Sequence, residues 1–391
     1  MALSGKNKSI YMDYNATTPV DPEVLRQMQP YFTSDFGNPA SAGHHWGWTA
    51  QNAVTKARGQ VASLIHAKPS EIFFTAGATE SNNWAVFGTL FKLREEQPEG
   101  PIHFLTSQVE HSSILRSFEA VKKMNVEIDF LPVNSYGQVD PEVVRRAVKP
   151  HTKLMSFIWV NNEVGSINPV TEIAKIAKEK QIYFHSDGTQ AVGKIPVNVT
   201  EAGVDMVSFS GHKVYGPKGV GGLYIRSQNP KVQIDPYIYG GGQEKGQRSG
   251  TLNVPGIVGL GAACEIAQQH MEEESARLTK LRNLLWQEVQ KALPGVKLNG
   301  HPEQRSPMNL NITLPGQKTE NFLARLQLLG ISTGSACGTG AMVISHVLTG
   351  LGLNSEQVQC SLRLSLGRWT TEEEVLQAVA LLSQAVNPRP T

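Results

Sequence analysis

Short apolar runs alternate with amphipathic stretches over most of the chain. The runs are rich in β-branched and aromatic residues, and the stretches between them repeat apolar positions at helical spacing. This alternation indicates a mainly parallel sheet covered by helices, and so an α/β fold. The predicted strands of this seven-stranded sheet are Glu71–Thr75, Ile102–Ser107, Val126–Val133, Lys153–Val160, Ile182–Ser186, Asp205–Ser210 and Gly222–Ile225.

The pattern changes in the last third of the chain. A long helical stretch over Ile266–Ala292 precedes a smaller region with predicted strands at Asn309–Leu314 and Ser361–Leu366. A capping box that begins at Thr371 predicts the last helix. The mixture of strands and helices after the long helix indicates a second unit of α+β type.

Two Asp-Pro-Glu sequences, beginning at Asp21 and Asp140, predict helix starts with proline at the first helical position. No low-complexity linker interrupts the chain. We therefore predict a large domain over residues 16–263 and a smaller C-terminal α+β domain made of residues 1–15 and 264–391. The two domains are expected to pack tightly.

Composition narrows the classes of protein that fit this fold. The chain has 391 residues, of which 40% are hydrophobic, and a net charge of +2, so it is expected to be globular. Without a basic arm or a run of like charges, nucleic acid and anionic membrane are unlikely partners. The first residues lack an apolar signal core, and Val375–Val386 is too short to span a bilayer. A cytoplasmic protein is expected.

Cysteine and histidine usage argues against a structural metal site. Cys264, Cys337 and Cys360 lack CxxC spacing, so neither a disulfide framework nor a structural zinc site is expected. The adjacent pair His44 and His45 has no further ligand to complete a set, and no metal is predicted. A cysteine with a special role would act as a reactive thiol.

Two polar residues follow neighbouring predicted strands and suggest covalent cofactor chemistry. Lys213 stands between a buried strand and a Gly/Pro loop, where an amine suits imine formation with a carbonyl cofactor. Asp187 ends another strand, and a carboxylate there needs a cationic partner such as a protonated pyridine nitrogen. Ligands bind beyond the carboxyl ends of such strands, so both side chains are expected in one crevice. Taken alone, Lys213 could be a surface lysine and Asp187 a helix cap.

Two further segments add to this picture. The strand ending at Thr75 runs into a turn of small residues and a helix start at Ala78 and Thr79, an arrangement that binds phosphate. His111 also follows a strand, where an imidazole could stack on a flat ring and move protons near neutral pH. By themselves, the turn could be an ordinary capped helix and His111 a structural histidine.

Taken together, the ordered motifs resemble the class V group of fold-type I pyridoxal phosphate enzymes. In detail they are similar to the NifS/IscS-type cysteine desulfurases, over nearly the whole chain. The motifs that carry the resemblance are Tyr11–Pro19, Gly37–Ser41, Val160–Gly165, Ser210–Lys213, Gly240–Glu244, Arg248–Thr251, Gly334–Cys337 and Leu362–Arg368.

The resemblance implies pyridoxal 5'-phosphate as cofactor and a role for each matching residue. Lys213 would hold the cofactor covalently, Asp187 would pair with its pyridine nitrogen, Gln190 would bond its phenolic oxygen, and His111 would stack on its ring. The residues implied for the phosphate are Ala78, Thr79, Ser210 and His212, with Thr251 reaching across from a second subunit of a homodimer.

Substrate recognition and catalysis are implied in the same way. Asn162 and Arg363 would receive the carboxylate of L-cysteine, since a planar guanidinium matches a carboxylate bidentately. Without the resemblance, Arg363 could equally form a salt bridge in the smaller domain. Lys213 would take the Cα proton, His111 would donate a proton, and the Cys337 thiolate would attack the substrate sulfur. The resulting persulfide would pass to an acceptor such as an iron–sulfur scaffold protein.

Other functions share part of this residue set. A selenocysteine lyase, or a related pyridoxal-phosphate-dependent C–S lyase, shares most of these motifs. A nicotinamide dehydrogenase would need a GxGxxG turn after an early strand, which is missing in that context. A sulfur carrier without catalysis would use Cys337 but would leave Lys213, Asp187 and Arg363 unexplained.

Overall fold

The computed structural model describes residues 9–333 and 344–387. Buried runs of β-branched and aromatic residues form the strands, as their pattern predicts. The strands are β1 (Ile10–Tyr11), β2 (Ile72–Thr75), β3 (His103–Ser107), β4 (Glu127–Leu131), β5 (Thr152–Ser156), β6 (Tyr183–Asp187), β7 (Met206–Ser210), β8 (Gly221–Ile225), β9 (Lys297–Asn299), β10 (Asn309–Thr313), β11 (Leu329–Gly330) and β12 (Ser361–Ser365).

Helices cover the sheets, and several begin at caps that the sequence predicts. Asp21 and Asp140 each accept a hydrogen bond from a backbone N–H two residues on, and Thr371 forms its capping box with Glu374. The helices are α1 (Pro22–Met28), α2 (Pro30–Thr33), α3 (His45–Leu64), α4 (Ala78–Glu96), α5 (Ser112–Lys122), α6 (Pro141–Ala147), α7 (Val170–Glu179), α8 (Val199–Ala202), α9 (Val254–Ala292), α10 (Glu320–Leu323), α11 (His346–Gly350), α12 (Ser355–Gln359) and α13 (Glu372–Val386).

The central sheet has seven strands in the order β2-β8-β7-β6-β5-β3-β4. Strand β8 runs antiparallel to both β2 and β7, and the other pairings are parallel. The predicted mainly parallel seven-stranded sheet is therefore confirmed. Neighbouring strands β6 and β7 end at Asp187 and Ser210, so the residues after them meet at one edge of the sheet.

One predicted strand, Lys153–Val160, is too long, because β5 ends at Ser156. Residues 157–160 stay buried beyond the strand end, so their apolar pattern continues without a strand being assigned there. A buried connection and a buried strand look alike in sequence when both are fully apolar.

The smaller region contains the antiparallel sheet β9-β10-β12, and β1 pairs in parallel with β11. The N-terminal strand therefore lies against the C-terminal part of the chain. The carbonyl oxygen of Glu163 accepts bonds from the side-chain amides of Asn309 and Asn311 on β10, each at 3.1 Å. These bonds hold the loop that carries Asn162 against the smaller sheet.

Helix α9 links two hydrophobic cores. Its first turns, up to Ala267, pack in the core of the large sheet, and residues from Leu278 onward pack in the core of the smaller region. The helix begins at Val254, well before the predicted start at Ile266. Glycines such as Gly261 weaken the helical pattern, yet a Cβ at that position would lie 2.6 Å from the Ala57 Cα of α3. The predicted domain boundary after residue 263 falls inside this helix and stays a prediction.

No helix in the two described ranges is long and apolar enough to cross a membrane. His44, considered above as a metal ligand, caps α3 instead, because its Nδ1 accepts a hydrogen bond from the backbone N–H of Gly47.

Candidate active site

A cleft of about 860 Å³ opens at the carboxyl ends of the central strands. Its size suits a cofactor together with a small substrate. Residues from the N-terminal segment, the helix α4 start, several strand ends and β12 share its wall. The predicted site residues that line it are Ala78, Thr79, His111, Asn162, Asp187, Gln190, Ser210, His212, Lys213 and Arg363.

The phosphate turn has the geometry of an anion site. Helix α4 begins at Ala78 directly after Gly77, and no side chain in the described part of the chain caps it. The ordinary capped helix considered above is therefore not what forms here. Gly77 has φ of 152°, which favours glycine, and a Cβ on Gly221 of β8 would lie 2.7 Å from the Gly77 Cα. The turn leaves the first N–H groups of a 19-residue helix open toward the cleft.

Lys213 ends a short 3₁₀ turn after β7 and lines the cleft. Its Nζ donates hydrogen bonds to the carbonyl oxygens of Asn15 at 2.6 Å and Ala16 at 2.7 Å. Two backbone carbonyl groups of the N-terminal segment thus hold the amine of Lys213. Asn15 and Ala16 are contacts that the sequence did not predict, although they lie in the Tyr11–Pro19 motif.

His212 precedes Lys213 in the same turn. Its ring can donate a hydrogen bond to an anion while remaining neutral. Burial, and then the charges of Lys213 and Lys218, lower the pKa of His212 to about 4. Its Nδ1 lies 3.1 Å from the Thr17 hydroxyl. A neutral ring at this place adds a hydrogen bond to the phosphate site without adding a charge.

Asp187 is 2% exposed at the end of β6. Its Oδ2 accepts a hydrogen bond from Asn82 Nδ2 at 2.8 Å, and its Oδ1 accepts from the Thr189 backbone N–H at 3.0 Å. A carboxylate so held is a rigid acceptor, suited to a cationic ring nitrogen. Asn82 was missed by sequence analysis, since nothing links it to Asp187 before the chain folds.

His111 caps helix α5 with its own ring. Its Nδ1 accepts a hydrogen bond from the Ser113 backbone N–H at 3.2 Å and lies 2.8 Å from the Ser113 hydroxyl. Burial, helped by the charges of Lys213 and His346, lowers the pKa of His111, while Asp187 opposes this shift. The ring is therefore neutral at physiological pH.

Arg363 on β12 is almost fully buried, at 2% exposure. Its Nη1 donates to the Asn162 carbonyl oxygen at 2.8 Å, and its Nη2 donates to Asp13 Oδ1 at 2.8 Å. Arg363 Nε and Asn162 Oδ1 are buried and lack a hydrogen-bond partner within residues 9–333 and 344–387. The unpaired N–H of Arg363 fits an incoming acceptor such as a carboxylate, whereas the Asn162 oxygen can only accept from a donor.

Gln190 connects the cleft to a buried lysine that sequence analysis did not single out. Its Nε2 donates to the Asn15 carbonyl oxygen at 2.9 Å, and its Oε1 accepts a hydrogen bond from Lys194 Nζ. Burial, with the nearby charges of Lys213 and Arg363, holds the pKa of Lys194 well below its usual range. The sequence signal that could have indicated this contact was the spacing of four residues between Gln190 and Lys194.

Thr251 is not among the described residues that line the cleft, and it is exposed on this chain. Cys337 lies outside the described residues. Of the other cysteines, Cys264 is fully buried, which raises the pKa of its thiol to about 12, and Cys360 is also buried. Both are poor candidates for a reactive thiol.

The donor set fits pyridoxal phosphate. The cleft joins an open helix N-terminus for a phosphate, an amine for an aldehyde and a buried carboxylate for a pyridine nitrogen. A buried guanidinium beside them suits an amino-acid carboxylate.

Comparisons with known proteins agree with this site. The chain matches the family described as aminotransferase class-V over residues 10–378. The cysteine desulfurase IscS of Rickettsia bellii is 44% identical over 378 residues, which cover 97% of this chain and 91% of that protein. A solved NifS-like protein superposes with a TM-score of 0.88 at 36% identity, covering 96% of this chain and 98% of that one. The structure described as SspA in complex with cysteine superposes with a TM-score of 0.81 at 35% identity, covering 93% of this chain and 100% of that one.

The chain therefore belongs to the class-V aminotransferase family, with the fold-type I architecture that its motifs predicted. Within that family it belongs to the NifS/IscS-type cysteine desulfurases, and it is an enzyme that uses pyridoxal phosphate. The predicted family and cofactor are confirmed, and these relatives favour desulfuration over selenocysteine lysis.

Proposed function

We propose that this enzyme removes sulfur from L-cysteine, yielding L-alanine and a persulfide on Cys337 that passes to an acceptor protein. The observation that carries the proposal is the convergence of Lys213, Asp187 and Arg363 on one cleft. An amine, a buried carboxylate and a buried guanidinium have no common purpose in a carrier or structural protein. Together they suit the binding and deprotonation of an amino acid.

Substrate orientation comes first. Arg363 and Asn162 receive the carboxylate of L-cysteine, and the guanidinium is already held by Asp13 and by the Asn162 carbonyl. Because these bonds fix the guanidinium before substrate arrives, little side-chain entropy is lost on binding. The orientation brings the substrate Cα toward Lys213.

Two side chains of the cleft, Lys213 and His111, are placed to transfer protons. The bound cofactor supplies the electron sink that makes the Cα proton acidic. Lys213 Nζ removes that proton, and His111 provides a proton within the cleft. The fixed carboxylate of Asp187 would stabilise a positive charge on the cofactor's ring nitrogen.

The sulfur transfer is assigned to Cys337. Its thiolate attacks the sulfur of the substrate, so an S–S bond forms as the Cβ–S bond breaks. The carbon keeps the bonding electron pair and takes a proton, which leads to alanine. A persulfide on Cys337 then passes its outer sulfur to an acceptor, an iron–sulfur scaffold being the proposed example.

The working assembly is proposed to be a homodimer in the cytoplasm. Thr251 is exposed on its own chain and so can complete the phosphate site of a second subunit.

The proposal is tested by alanine and sulfide release from L-cysteine with a thiol reductant. We expect equal amounts of both from the holoenzyme and neither from Lys213→Ala. Selenocysteine is offered in parallel at the same concentration. Turnover of selenocysteine alone would replace the proposed function with that of a lyase.

A further inference from the structure

A line of hydrogen bonds connects Asp187 to His111 behind the wall of the cleft. Asn82, in the second turn of α4, donates from Nδ2 to Asp187 Oδ2 and to Ser113 Oγ, each at 2.8 Å. Ser113 Oγ in turn lies 2.8 Å from His111 Nδ1. Asn82 is fully buried and Ser113 is 9% exposed, so water competes little for these bonds.

The chemistry of the groups fixes the direction of each bond. A carboxylate only accepts, so Asn82 must turn its amide nitrogen, rather than its oxygen, toward Asp187. Both N–H groups of that nitrogen are then used, and Ser113 Oγ is an acceptor in its bond with Asn82. The single proton of the Ser113 hydroxyl is left for His111 Nδ1.

The unpaired oxygen of Asn82 does not reverse this direction. Asn82 Oδ1 is buried and has no hydrogen-bond partner in the described part of the chain. A buried carbonyl without a donor costs free energy, so the amide is held in this orientation by the bonds on its other side. The carboxylate of Asp187 thus dictates the amide orientation, and the amide dictates the hydroxyl orientation.

His111 Nδ1 therefore faces two donors. One is the Ser113 hydroxyl, and the other is the Ser113 backbone N–H at 3.2 Å. A ring nitrogen that accepts from both must carry a lone pair, so the ring proton sits on Nε2. The charged and titratable groups that face the ring are Asp187, Lys213 and His346.

We infer that Asn82 and Ser113 are positioning residues, which hold His111 as a neutral ring with its proton on Nε2. They also tie the ring to Asp187, so that two groups that line the cleft are aligned by one network. The catalytic consequence rests on the proposed function, whereas the tautomer does not. His111 then acts from Nε2, and protonation at Nδ1 requires both Ser113 bonds to break.

The tautomer can be read directly by NMR. The holoenzyme is labelled with ¹⁵N-histidine, and the His111 signals are those lost in His111→Gln. We expect the neutral Nε2–H form to dominate in wild type at neutral pH, with a protonation midpoint below that of a free imidazole. In Ser113→Ala, the neutral ring loses a hydrogen-bond donor. The protonation midpoint of His111 should then rise by about one pH unit, and both tautomers should be populated.

Two variants separate this effect from general damage. Ser113→Thr keeps the hydroxyl and should keep the wild-type signals. Ser117→Ala removes a buried hydroxyl on the same helix that bonds only backbone carbonyls in the described structure, and should leave His111 unchanged. In Ser113→Ala, kcat for alanine formation should fall about tenfold with KM nearly constant, because a misoriented His111 loses only part of a proton-transfer contribution of about 100- to 10,000-fold.

The outcomes are distinguishable. An imidazolium or an Nδ1–H tautomer of His111 in wild type at neutral pH would overturn the inference, and so would unchanged His111 signals in Ser113→Ala. If the NMR results hold but wild type forms no alanine, the positioning network stands and the proposed function fails.

Discussion

Asp13 and Arg363, which lines the cleft, form an ion pair with 2.8 Å between Asp13 Oδ1 and Arg363 Nη2. The two residues come from opposite ends of the chain, and the Asp13 backbone bridges to Ser365 on the same strand as Arg363. The guanidinium is therefore positioned by the fold before substrate binds.

Arg363→Lys tests the role of this guanidinium. Lysine keeps the positive charge, but its ammonium group lacks the planar set of donors of a guanidinium. It therefore cannot hydrogen-bond the substrate carboxylate, Asp13 and the Asn162 carbonyl at the same time in one plane. We expect KM for L-cysteine to rise about 10- to 100-fold, the scale of a lost charged hydrogen bond. Steady-state kinetics measure this change.

A substrate without a carboxylate provides the matched comparison for Arg363→Lys. The preference for L-cysteine over cysteamine should shrink in the variant, while Arg26→Lys on the exposed face of α1 should change nothing. An unchanged preference would show that Arg363 does not receive the carboxylate.

Glu110 predicts a pH dependence of stability. The side chain is fully buried, with Oε1 bonded to the Ser107 hydroxyl at 2.5 Å and Oε2 unpaired within the described ranges. Burial raises the pKa of Glu110 to about 8, and the bond from Ser107 opposes this shift only in part. Since the folded pKa lies above the unfolded one, the free energy of unfolding should fall as pH rises from about 4.5 to about 8.

Glu110→Gln removes this titration. The free energy of unfolding of the variant should therefore not fall over this range. Its difference from wild type should grow by on the order of 2 kcal/mol as pH rises from about 6 to about 8. Denaturant unfolding at both pH values measures the difference. The exposed Glu303→Gln serves as control, and a parallel pH profile for wild type and Glu110→Gln would contradict the expectation.

The placement of Thr251 across a subunit interface is tested by mixing two inactive variants. In a mixed dimer of Lys213→Ala and Thr251→Ala subunits, one site regains both wild-type residues only if Thr251 acts across the interface. Random exchange between subunits of a symmetric dimer should then restore about one quarter of wild-type activity.

Asp187→Ala mixed with Lys213→Ala is the control for subunit exchange. Both residues belong to the same chain's cleft, so no intact site should form in the mixed dimer. Failure of the first mixture to regain activity would mean that Thr251 does not serve the neighbouring subunit's site.

Sequence analysis predicted those parts of the site that depend on local order. Lys213, Asp187 and the turn at Ala78 each follow a strand directly, and the carboxyl ends of parallel strands meet at one edge. Their convergence could be predicted from strand order alone. The helix caps at Asp21 and Asp140 were predictable for the same reason, because capping bonds span only a few residues.

Contacts between distant segments could not be predicted in this way. Asn82 contacts Asp187 because helix α4 packs beside β6, and no local pattern records that packing. Lys194 has no distinguishing local pattern, and its burial beside Gln190 becomes visible only in the folded chain. The early start of α9 was missed because glycines that permit close helix packing also weaken the helical signal.

The most direct test of the account compares Cys337→Ala with wild type at equal cofactor content, using L-cysteine and measuring alanine and protein-bound persulfide. We expect wild type to form alanine with a persulfide on Cys337, and the variant to form neither, while Cys264→Ala behaves as wild type. Alanine formed at the wild-type rate by Cys337→Ala would contradict the central claim that this thiol accepts the sulfur.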